Sequence, residues 1–442
     1  MFYLDKNTAL TPALLSKMIN RFRVEEEPKL QRYYNYYIGQ QNILSKRYVD
    51  TSKPCNKTVI NYCQNITNSY SGYMASPGFI SYHSDNDIEE IMDILRYNDY
   101  QEQDAAYLHS MLVYSRAAEL MYHDEEGKTR FRLITPTTCF GVYDDTLSGD
   151  LIYFVRMYKA SEWDSSEEYL VDVYDDVLIK HYKMIGNNGI PEYMSEEPHN
   201  YSQIPANIAY MPDEKSIFDC IMSKQDSINE LVSAEMDEIN AFCDAYLVFE
   251  GAEIDDEDAQ RMKTNRVLQL PDGAKAYWLT KNTNNAQLES NRKFLHDSIY
   301  RDAQCPDFSS EAFTGGVASG ISIQYKLTGM ETRAAVIEAI FKKALQRRVE
   351  ILCGEVSLKL GEEVFRDIEI KCKRNIPDDI NTSINLVNSL KGSVSDATLL
   401  SQLPFITDVN AEIEAVQKQK QENIEMYGFG LNSEADSEDE EE

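Results

Sequence analysis

The stretch LIYFVRMYKASEWDSSEEYLVDVYDDVLIKHY (residues 151–182) contains three short runs that are rich in β-branched and aromatic residues. Turn-forming residues separate the runs, and the apolar positions recur mostly with a period of two. This combination is typical of β-strands. Two earlier runs, FRLIT (131–135) and CFGVY (139–143), have the same character. Residues 131–182 therefore predict an antiparallel meander.

The residues before the meander are spaced differently. Leu14, Ile19 and Phe22 lie on one face of a predicted helix. The same helical spacing continues through residues 58–74, 88–97 and 105–121. The first 130 residues are thus predicted to be helical. Helices followed by an antiparallel sheet predict an α+β fold.

A long helix is predicted to begin at Pro212 and to carry an apolar stripe. Its apolar positions step mostly by three and four residues, and Glu235 is the one polar position among them. A helix of this kind packs one face against a neighbour. The stripe comprises Ile217, Ile221, Ile228, Leu231, Ile239 and Phe242.

A short insertion follows this helix. YLVFEG (246–251) predicts a strand, DDEDAQRMKTN (255–265) a short acidic helix, and RVLQLPDGAKAYWLT (266–280) a hairpin. A second helix is predicted over residues 286–303, because Pro306 cannot continue it.

The C-terminal third alternates between irregular and helical segments. Residues 306–320 contain three glycines and three serines and are predicted to be irregular. A third long helix is predicted from Tyr325 to Cys353, and FRDIEIKC (365–372) predicts a strand whose partner lies far earlier in the chain. Further helices are predicted over 379–390, 396–402 and 408–426, followed by a disordered acidic tail.

Acidity dominates the composition. The chain has 74 Asp and Glu against 43 Lys and Arg, which gives a net charge of -31. The last twelve residues hold seven of the acids and no base, so the net charge without them is -24. Such a chain repels phosphate and is a poor general nucleic-acid binder. The one basic element is the predicted helix at 326–352, with six bases and three acids.

No motif for catalysis or metal binding occurs in the sequence. GxSxG, GxGxxG and CxxC are absent, and the six histidines are dispersed. Gly315 to Gly320 does not match a nucleotide-binding loop, because Ile321 and Ser322 follow where Lys and Ser/Thr are needed. We expect no enzymatic activity, no cofactor and no metal, and the eight cysteines are expected to be reduced. No export signal and no membrane span are expected either.

Four stretches spread over nearly the whole chain are distinctive: YYNYYIGQQNI (33–43), NKTVINYCQNITNSYSGYMASP (56–77), PDFSSEAFTGGVASGISIQYKLTGMETRA (306–334) and RNIPDDINTSINLVNSLKGSVSDATLLSQLPFITD (374–408). Together with the order of the predicted elements, they resemble the portal proteins of tailed bacteriophages, of the siphophage headful-packaging type. The third stretch is the most specific. It departs from the family in Gly316-Val317, where an Asn or a similar residue often precedes Ala-Ser-Gly.

The resemblance implies a homo-oligomeric ring of twelve subunits at one capsid vertex of the virion, assembled in the host cytoplasm. Double-stranded viral DNA would pass through the ring without sequence-specific contacts, inward during packaging and outward during ejection. The terminase, head-tail adaptors, and the major capsid and scaffold proteins would be its partners. ATP hydrolysis would belong to the terminase, so the purified chain is expected to hydrolyse no nucleotide.

The family divides into wing, stem, clip and crown, and the resemblance implies the same division here. The wing would comprise residues 1–211 and 353–378, the stem 212–245 and 284–305, the clip 246–283 and the crown 379–430. The tunnel loop would be 306–324, ahead of the long basic helix at 325–352, and the acidic tail would be 431–442.

The resemblance also suggests which residues act. The tunnel loop would face DNA with Phe313, Thr314, Gly315, Gly316, Val317, Ala318, Ser319 and Gly320, since glycine tolerates many conformations. The bases that would offset phosphate repulsion in the channel are Arg292, Lys293, Lys326, Lys342 and Lys343; surface or intersubunit salt bridges are the alternative role. The clip residues that would dock the terminase are Asp255, Asp256, Glu257, Asp258, Arg261, Lys263 and Arg266; a solvated charged face is the alternative.

The sequence is also compatible with two other classes of protein. One is a different phage head structural protein, such as a minor capsid or scaffold-associated protein, which would form no ring with a central hole. The other is a hydrolytic enzyme with an unrecognised site, whose turnover would change when residues 306–324 are altered.

Overall fold

A computed structural model describes residues 1–48, 54–75, 78, 80–161, 163, 167–186, 189–242, 246–251, 260, 270, 272–279, 285–310, 313, 320–354, 364–375, 387–392, 394–400, 403, 412–413 and 415–420. Contacts divide the chain into two units. The first unit comprises Met1–Asp307 and Gly329–Asn375, and the second comprises Phe308–Thr328 and Ile376–Glu442.

The first unit begins with a strand and a long helical run. Its elements are β1 (Phe2–Leu4), α1 (Pro12–Arg21), a π-helical segment (Phe22–Glu26) and α2 (Glu27–Tyr37). Thr11 begins α1, because its hydroxyl accepts a hydrogen bond from the Leu14 N–H at 3.3 Å. Pro28 has no N–H to complete the α-helical ladder, and the wider π turns lie at this break.

A six-stranded sheet follows, in the order β1–β5–β6–β7–β8–β9. Its later strands are β5 (Cys139–Asp144), β6 (Leu151–Lys159), β7 (Glu168–Tyr174), β8 (Leu178–Ile185) and β9 (Glu192–Pro198). Only β1 runs parallel to its neighbour; the other pairs are antiparallel. Of the meander predicted over 131–182, the part from Cys139 onward is confirmed, whereas FRLIT (131–135) belongs mostly to a strand of a separate sheet. The two edge strands were not predicted, since β1 has three residues and β9 is exposed throughout and lacks apolar alternation.

A three-stranded antiparallel sheet forms a second layer. It consists of β3 (Arg116–His123), β4 (Thr129–Ile134) and β10 (Ala206–Tyr210), in the order β10–β3–β4. The helix predicted over 105–121 is therefore wrong in its last part. Helix α5 (Tyr100–Tyr114) ends where Ser115 adopts a left-handed φ of 67°. Good helix formers follow it, but pairing with two neighbouring strands overrides their propensity.

Alternate residues of the six-stranded sheet pack into two different cores. Val155 faces α1 and the π-helical segment, where it meets a cluster that includes Phe22. Phe154, its neighbour in sequence, faces the three-stranded sheet with Leu120. All four side chains are buried, and burying one such side chain contributes about 1.5–3 kcal/mol. The period of two in the sequence thus reflects a sheet covered on both faces.

Strand β13 (Glu369–Cys372) returns the chain to its N-terminal part. It pairs antiparallel with β2 (Ile80–His83), with Ile370 opposite Tyr82, so the predicted distant partner is confirmed. The strand predicted over 365–372 is too long, since Val364–Asp367 forms a 3-10 turn. Helices α3 (Tyr62–Met74) and α4 (Glu89–Tyr97) lie close to their predicted positions.

The middle of the chain contributes two helices around a strand pair. The elements are α6 (Met222–Phe242), β11 (Tyr246–Glu250), β12 (Lys275–Leu279) and α7 (Asn285–Asp302). Strands β11 and β12 pair antiparallel, with Tyr246 opposite Leu279. Helix α7 confirms the prediction over 286–303 and ends ahead of Gln304, whose φ is 52°.

Two helix starts differ from the predictions. Pro212–Glu214 forms a 3-10 turn in which Asp213 and Glu214 have φ values of 55° and 50°, so no α-helix continues from Pro212 and α6 begins at Met222. Helix α8 (Gly320–Cys353) begins before the predicted Tyr325, and Phe313 is also helical. The prediction that residues 306–320 are irregular is therefore wrong for Phe313 and Gly320.

The second unit is described in part. It contains the first residues of α8, up to Thr328, and helix α9 (Asp396–Leu400), which confirms most of the helix predicted over 396–402. Residues 387–390, 412–413 and 415–420 are also helical. The acidic tail predicted to be disordered lies outside the described residues.

Candidate functional site

Helices α6 and α7 form an antiparallel pair. Lys224 on α6 forms an ion pair with Asp302, the last residue of α7. Further along, the Arg292 guanidinium on α7 lies 3.6 Å from the Glu235 carboxylate on α6. Ion pairs of this exposure contribute roughly 0–1 kcal/mol. Arg292, predicted as a channel base, thus has a partner within its own chain.

Apolar side chains on this helix pair are exposed. The exposed fraction is 65% for Phe294 on α7 and 57% and 44% for Ile239 and Met236 on α6. Lys293, a second predicted channel base, is also exposed. Large exposed apolar side chains on neighbouring helices occur in surfaces that contact another protein. The pair therefore carries apolar side chains that the described part of the chain leaves exposed.

The buried stripe of α6 is polar, so the predicted apolar stripe is wrong for much of this helix. Of the predicted stripe residues, Ile217 and Ile221, which precede α6, and Ile228 are buried, whereas Leu231 is half-buried and Ile239 is exposed. The residues that face the rest of the chain recur every four positions: they are Gln225, Asn229, Ser233 and Asp237. A strict four-residue spacing of polar residues was the signal in the sequence that could have located this face.

The C-terminal end of α7 is fixed by two side chains from other helices. The Tyr70 hydroxyl of α3 donates hydrogen bonds to the carbonyls of Ala303 and Gln304 at 3.0 and 3.1 Å. Arg333 of α8 donates to the Ala303 carbonyl at 3.0 Å and to the Ile217 carbonyl at 2.7 Å. These donors satisfy carbonyls that the end of a helix leaves unpaired. Arg333 therefore joins the end of α7 to the segment before α6.

His296 fixes Asp307, the second residue of the predicted tunnel loop at 306–324. Its Nδ1 lies 2.9 Å from the Tyr62 hydroxyl, and its Nε2 lies 3.1 Å from the Asp307 carboxylate. Burial and the nearby negative charge of Asp307 raise the pKa of Tyr62, so this hydroxyl stays protonated and can donate. The histidine thereby connects the start of α3 to the end of the chain segment that follows α7.

Most bases of α8 have partners within the chain. Lys342 forms an ion pair with Glu338 at 2.6 Å, and Arg347 forms one with Glu350 at 2.7 Å. Lys343 is exposed and forms no ion pair with any residue that the structure describes. Most of the positive charge that the sequence places on this helix is therefore paired within the same chain.

Arg348 lies at the centre of a fully buried charge cluster. Its guanidinium donates to both Glu119 oxygens, at 2.7 and 2.6 Å, and also forms an ion pair with Asp104. The second Asp104 oxygen accepts a hydrogen bond from the Tyr82 hydroxyl at 2.9 Å. All three charged side chains are 0% exposed. The cluster connects α8 to α5, β3 and β2.

The charges in this cluster do not cancel. Burial raises the pKa of both carboxyls above the usual range, although the positive charge of Arg348 acts in the opposite direction. The two acids in turn raise the pKa of the Arg348 guanidinium and outweigh the effect of its burial. Because burial outweighs the effect of Arg348 on both carboxyls, the folded protein holds a proton here more tightly than the unfolded chain.

Much of the predicted loop and clip lies outside the described residues. Among the loop residues, Phe313 is half-buried, with its ring centroid 4.9 Å from that of Phe308, and Lys326 Nζ lies 5.5 Å from the Phe313 ring. Gly320 is the first residue of α8. Thr314, Gly315, Gly316, Val317, Ala318 and Ser319 fall outside the described part. So do all the predicted docking residues: Asp255, Asp256, Glu257, Asp258, Arg261, Lys263 and Arg266.

The described part of the chain contains no group of three His, Cys, Asp or Glu side chains arranged to hold a metal ion. Seven cysteines in this part are free thiols, and four of them are buried: Cys63, Cys139, Cys305 and Cys353. None of the helices described is long and apolar enough to span a bilayer.

An α+β unit with exposed apolar side chains on a helix pair fits a protein that contacts other subunits. The family described as "Phage portal protein, SPP1 Gp6-like" matches residues 19–426, which is nearly the whole chain. The chain therefore belongs to this family of tailed-phage portal proteins. The family is structural and not enzymatic, and its members are components of the virion capsid. No curated protein sequence matches the chain.

Proposed function

We propose that the chain is the subunit of a twelve-membered ring at one vertex of a tailed-phage capsid, and that double-stranded DNA enters and leaves through this ring. The family match over residues 19–426 is the observation that carries this proposal. A ring of identical subunits needs a surface on each copy that contacts the next copy. The exposed apolar face of α6 and α7 meets that need.

In this proposal α6 and α7 are the stem that surrounds the channel. The acidity of the chain, with a net charge of -31, keeps contacts with DNA phosphates weak, so the duplex moves without being trapped. Lys293 and Lys343 are the exposed bases that offset the repulsion locally. Arg292 and Lys342 contribute less, because acids of the same chain pair with them.

The remaining parts take the roles of the family division. Residues 246–283, which include the β11–β12 pair, form the clip that docks the terminase and later the head-tail adaptors. The wing, residues 1–211 and 353–378, contains the six-stranded sheet, the three-stranded sheet and the β2–β13 pair, and faces the capsid and scaffold proteins. The crown comprises residues 379–430. The tunnel loop at 306–324 lines the narrowest part of the channel and leads into α8.

A packaging assay tests the channel. Replacing residues 314–319 with a shorter Gly-Ser linker should leave procapsids intact but reduce the yield of DNA-filled heads to background, because the loop contacts the moving duplex. The yield is measured as nuclease-protected DNA per procapsid. A matched control replaces residues 145–148 in the exposed turn between β5 and β6, and this variant should package normally.

Normal packaging by the loop variant would contradict the assigned role of the loop. If the protein instead enters capsids at many positions and not at one vertex, a minor capsid or scaffold-associated protein becomes the better account. Counting the sites that gold-labelled subunits occupy on each capsid distinguishes the two.

A further inference from the structure

A groove runs along one side of α2 and consists of two adjoining cavities. The first has a volume of about 510 Å³ and lies between the π-helical segment, α2, the end of β6 and the start of β7. The second has a volume of about 220 Å³ and lies between α2, α5 and the end of β4. Thr137 and Thr138 line the first cavity, and Thr135 and Pro136 line the second, so the cavities meet at this turn. We call the two cavities together the α2 groove.

The length of the groove follows from the helix that forms its wall. Glu27 lines the first cavity and Tyr37 lines the second. Ten residues of an α-helix separate these two positions and span about 15 Å. An extended peptide advances about 3.3 Å per residue, so four or five of its residues fit along this distance. The groove therefore has the length of a short peptide segment.

The first cavity carries positive charge in an acidic chain. Its lining residues include two bases, Arg23 and Lys159, and one acid, Glu27. Lys159 is exposed and forms no ion pair with any residue that the structure describes. The Arg23 guanidinium lies over the Tyr169 ring, 4.5 Å from its centroid. Burial raises the pKa of Glu27, although the positive charge of Arg23 acts in the opposite direction. A carboxylate that the chain as a whole repels is therefore attracted to this cavity.

The second cavity is aromatic, and its lining residues include no Asp, Glu, Lys or Arg. The rings of Tyr34 and Tyr114 stack in parallel with centroids 5.5 Å apart, and Tyr34 is 36% exposed. His109 packs edge-on against the Tyr37 ring at 5.0 Å. Burial lowers the pKa of His109, so its ring is neutral near pH 7. Grooves lined by aromatic rings bind proline residues of extended peptides in several recognition domains.

The backbone beside the first cavity departs from a regular helix. The Glu27 N–H bonds to the Phe22 carbonyl, five residues back, as in a π-helix. Turns of this kind within α-helices are rare and occur frequently at functional sites. Arg23 and Val24 of this segment line the cavity, and Val24 is 76% exposed. The irregular turns therefore lie where a partner can contact them.

We propose that the α2 groove binds an extended peptide of a partner protein, with an Asp or Glu side chain at Arg23 and Lys159 and a proline against Tyr34. The acid and the proline are about four residues apart in the peptide, as the length of the groove requires. A free anion would occupy the basic cavity alone, whereas a peptide fills both cavities. The proposal goes beyond the proposed channel, because the groove lies within one chain and needs no ring.

Binding of labelled peptides to the full-length chain tests the proposal. The probe is a pool of fluorescein-labelled nonapeptides with Asp at the third position, Pro at the seventh and mixed residues elsewhere, made in both chain directions. Fluorescence anisotropy should show saturable binding of this Asp-Pro pool to the wild type. Two further pools, with Lys in place of Asp or Gly in place of Pro, should bind the wild type more weakly.

Variants of the chain show where the peptide binds. Lys159→Glu reverses an exposed charge and should weaken binding of the Asp-Pro pool by about tenfold or more. The pool with Lys in place of Asp should bind this variant more tightly than it binds the wild type. Tyr34→Ser should weaken binding of the Asp-Pro pool but not of the pool that lacks proline. Lys373→Glu is the matched control, because Lys373 is exposed and lines neither cavity.

Three results would overturn the proposal. The first is that the Asp-Pro pool does not bind in either chain direction. The second is binding that Lys159→Glu and Tyr34→Ser leave unchanged, since the peptide then contacts a different surface. The third is an equal loss in Lys159→Glu and Lys373→Glu, which would show that net charge and not the groove determines binding. Circular dichroism and the urea unfolding midpoint, unchanged in each variant, show that the fold is retained.

Discussion

Replacing Arg348 by alanine is expected to destabilise the protein by about 3–5 kcal/mol, because it leaves the buried Asp104 and Glu119 carboxyls without a counter-charge. The lost stability is measured as the shift of the thermal or urea unfolding transition. Arg348→Lys should lie between wild type and alanine, since lysine keeps the charge but cannot donate to both Glu119 oxygens in the geometry of a guanidinium.

Arg347 supplies the control for this prediction. It is the preceding residue of the same helix, and its ion pair with Glu350 is about one-third exposed on both sides. Arg347→Ala should therefore cost less than about 1 kcal/mol. Equal losses for the two alanine variants would show that helix propensity or general charge, and not the buried cluster, determines the effect.

The cluster also predicts how the stability lost in Arg348→Ala depends on pH. Burial raises the pKa of Asp104 and Glu119 in the folded protein, so the folded state binds protons more tightly than the unfolded state. The stability contributed by this difference is present at low pH and is lost as the pH rises through the folded pKa values. Without Arg348, no guanidinium charge opposes the effect of burial on the pKa values of Asp104 and Glu119. The loss in the free energy of unfolding of Arg348→Ala relative to wild type should thus be smaller at pH 5 than at pH 8.

Placing charges at exposed apolar positions of α6 and α7, the helices proposed to form the stem, is expected to abolish ring assembly. In the variant Phe294→Asp with Ile239→Asp, two carboxylates would have to be buried against the neighbouring subunit, at a cost of several kcal/mol for each contact. Because both side chains are exposed in the single chain, its own folding should be unaffected. Mass photometry should show subunits where the wild type shows rings, while circular dichroism remains the same.

Val177→Asp is the control for the stem variant. Val177 is 61% exposed, in the turn between β7 and β8, away from α6 and α7. The same change of chemistry there should leave ring assembly intact. If the stem variant still assembles into rings, the subunits contact each other through a different face.

Strands with a buried face could be predicted from the sequence. The runs at 139–143 and 151–158 alternate because each residue faces one of two cores, and the strands lie where the alternation predicted them. Strand β3 was predicted as a helix, because its alanine, glutamate and leucine residues favour helices locally and only pairing with β4 and β10 makes it a strand.

The roles of charged and polar residues were harder to predict, because they depend on contacts between distant parts of the chain. The bases of α8 suggested a surface for DNA, yet Arg348 is buried against acids that lie more than two hundred residues earlier. Similarly, the predicted stripe on α6 did not include Asn229 and Ser233, which accept hydrogen bonds from the backbone N–H groups of Ile60 and Thr58. Spacing alone does not tell which partner a polar side chain meets.

The central claim is that the chain forms a ring with a central hole. Negative-stain electron microscopy combined with mass photometry on the purified protein tests it most directly. We expect rings with an open centre and a mass of about 600 to 660 kDa, which corresponds to twelve or thirteen copies of the 50.8 kDa chain. A closed dimer or tetramer without a hole, unchanged by addition of the capsid and scaffold proteins, would contradict the claim.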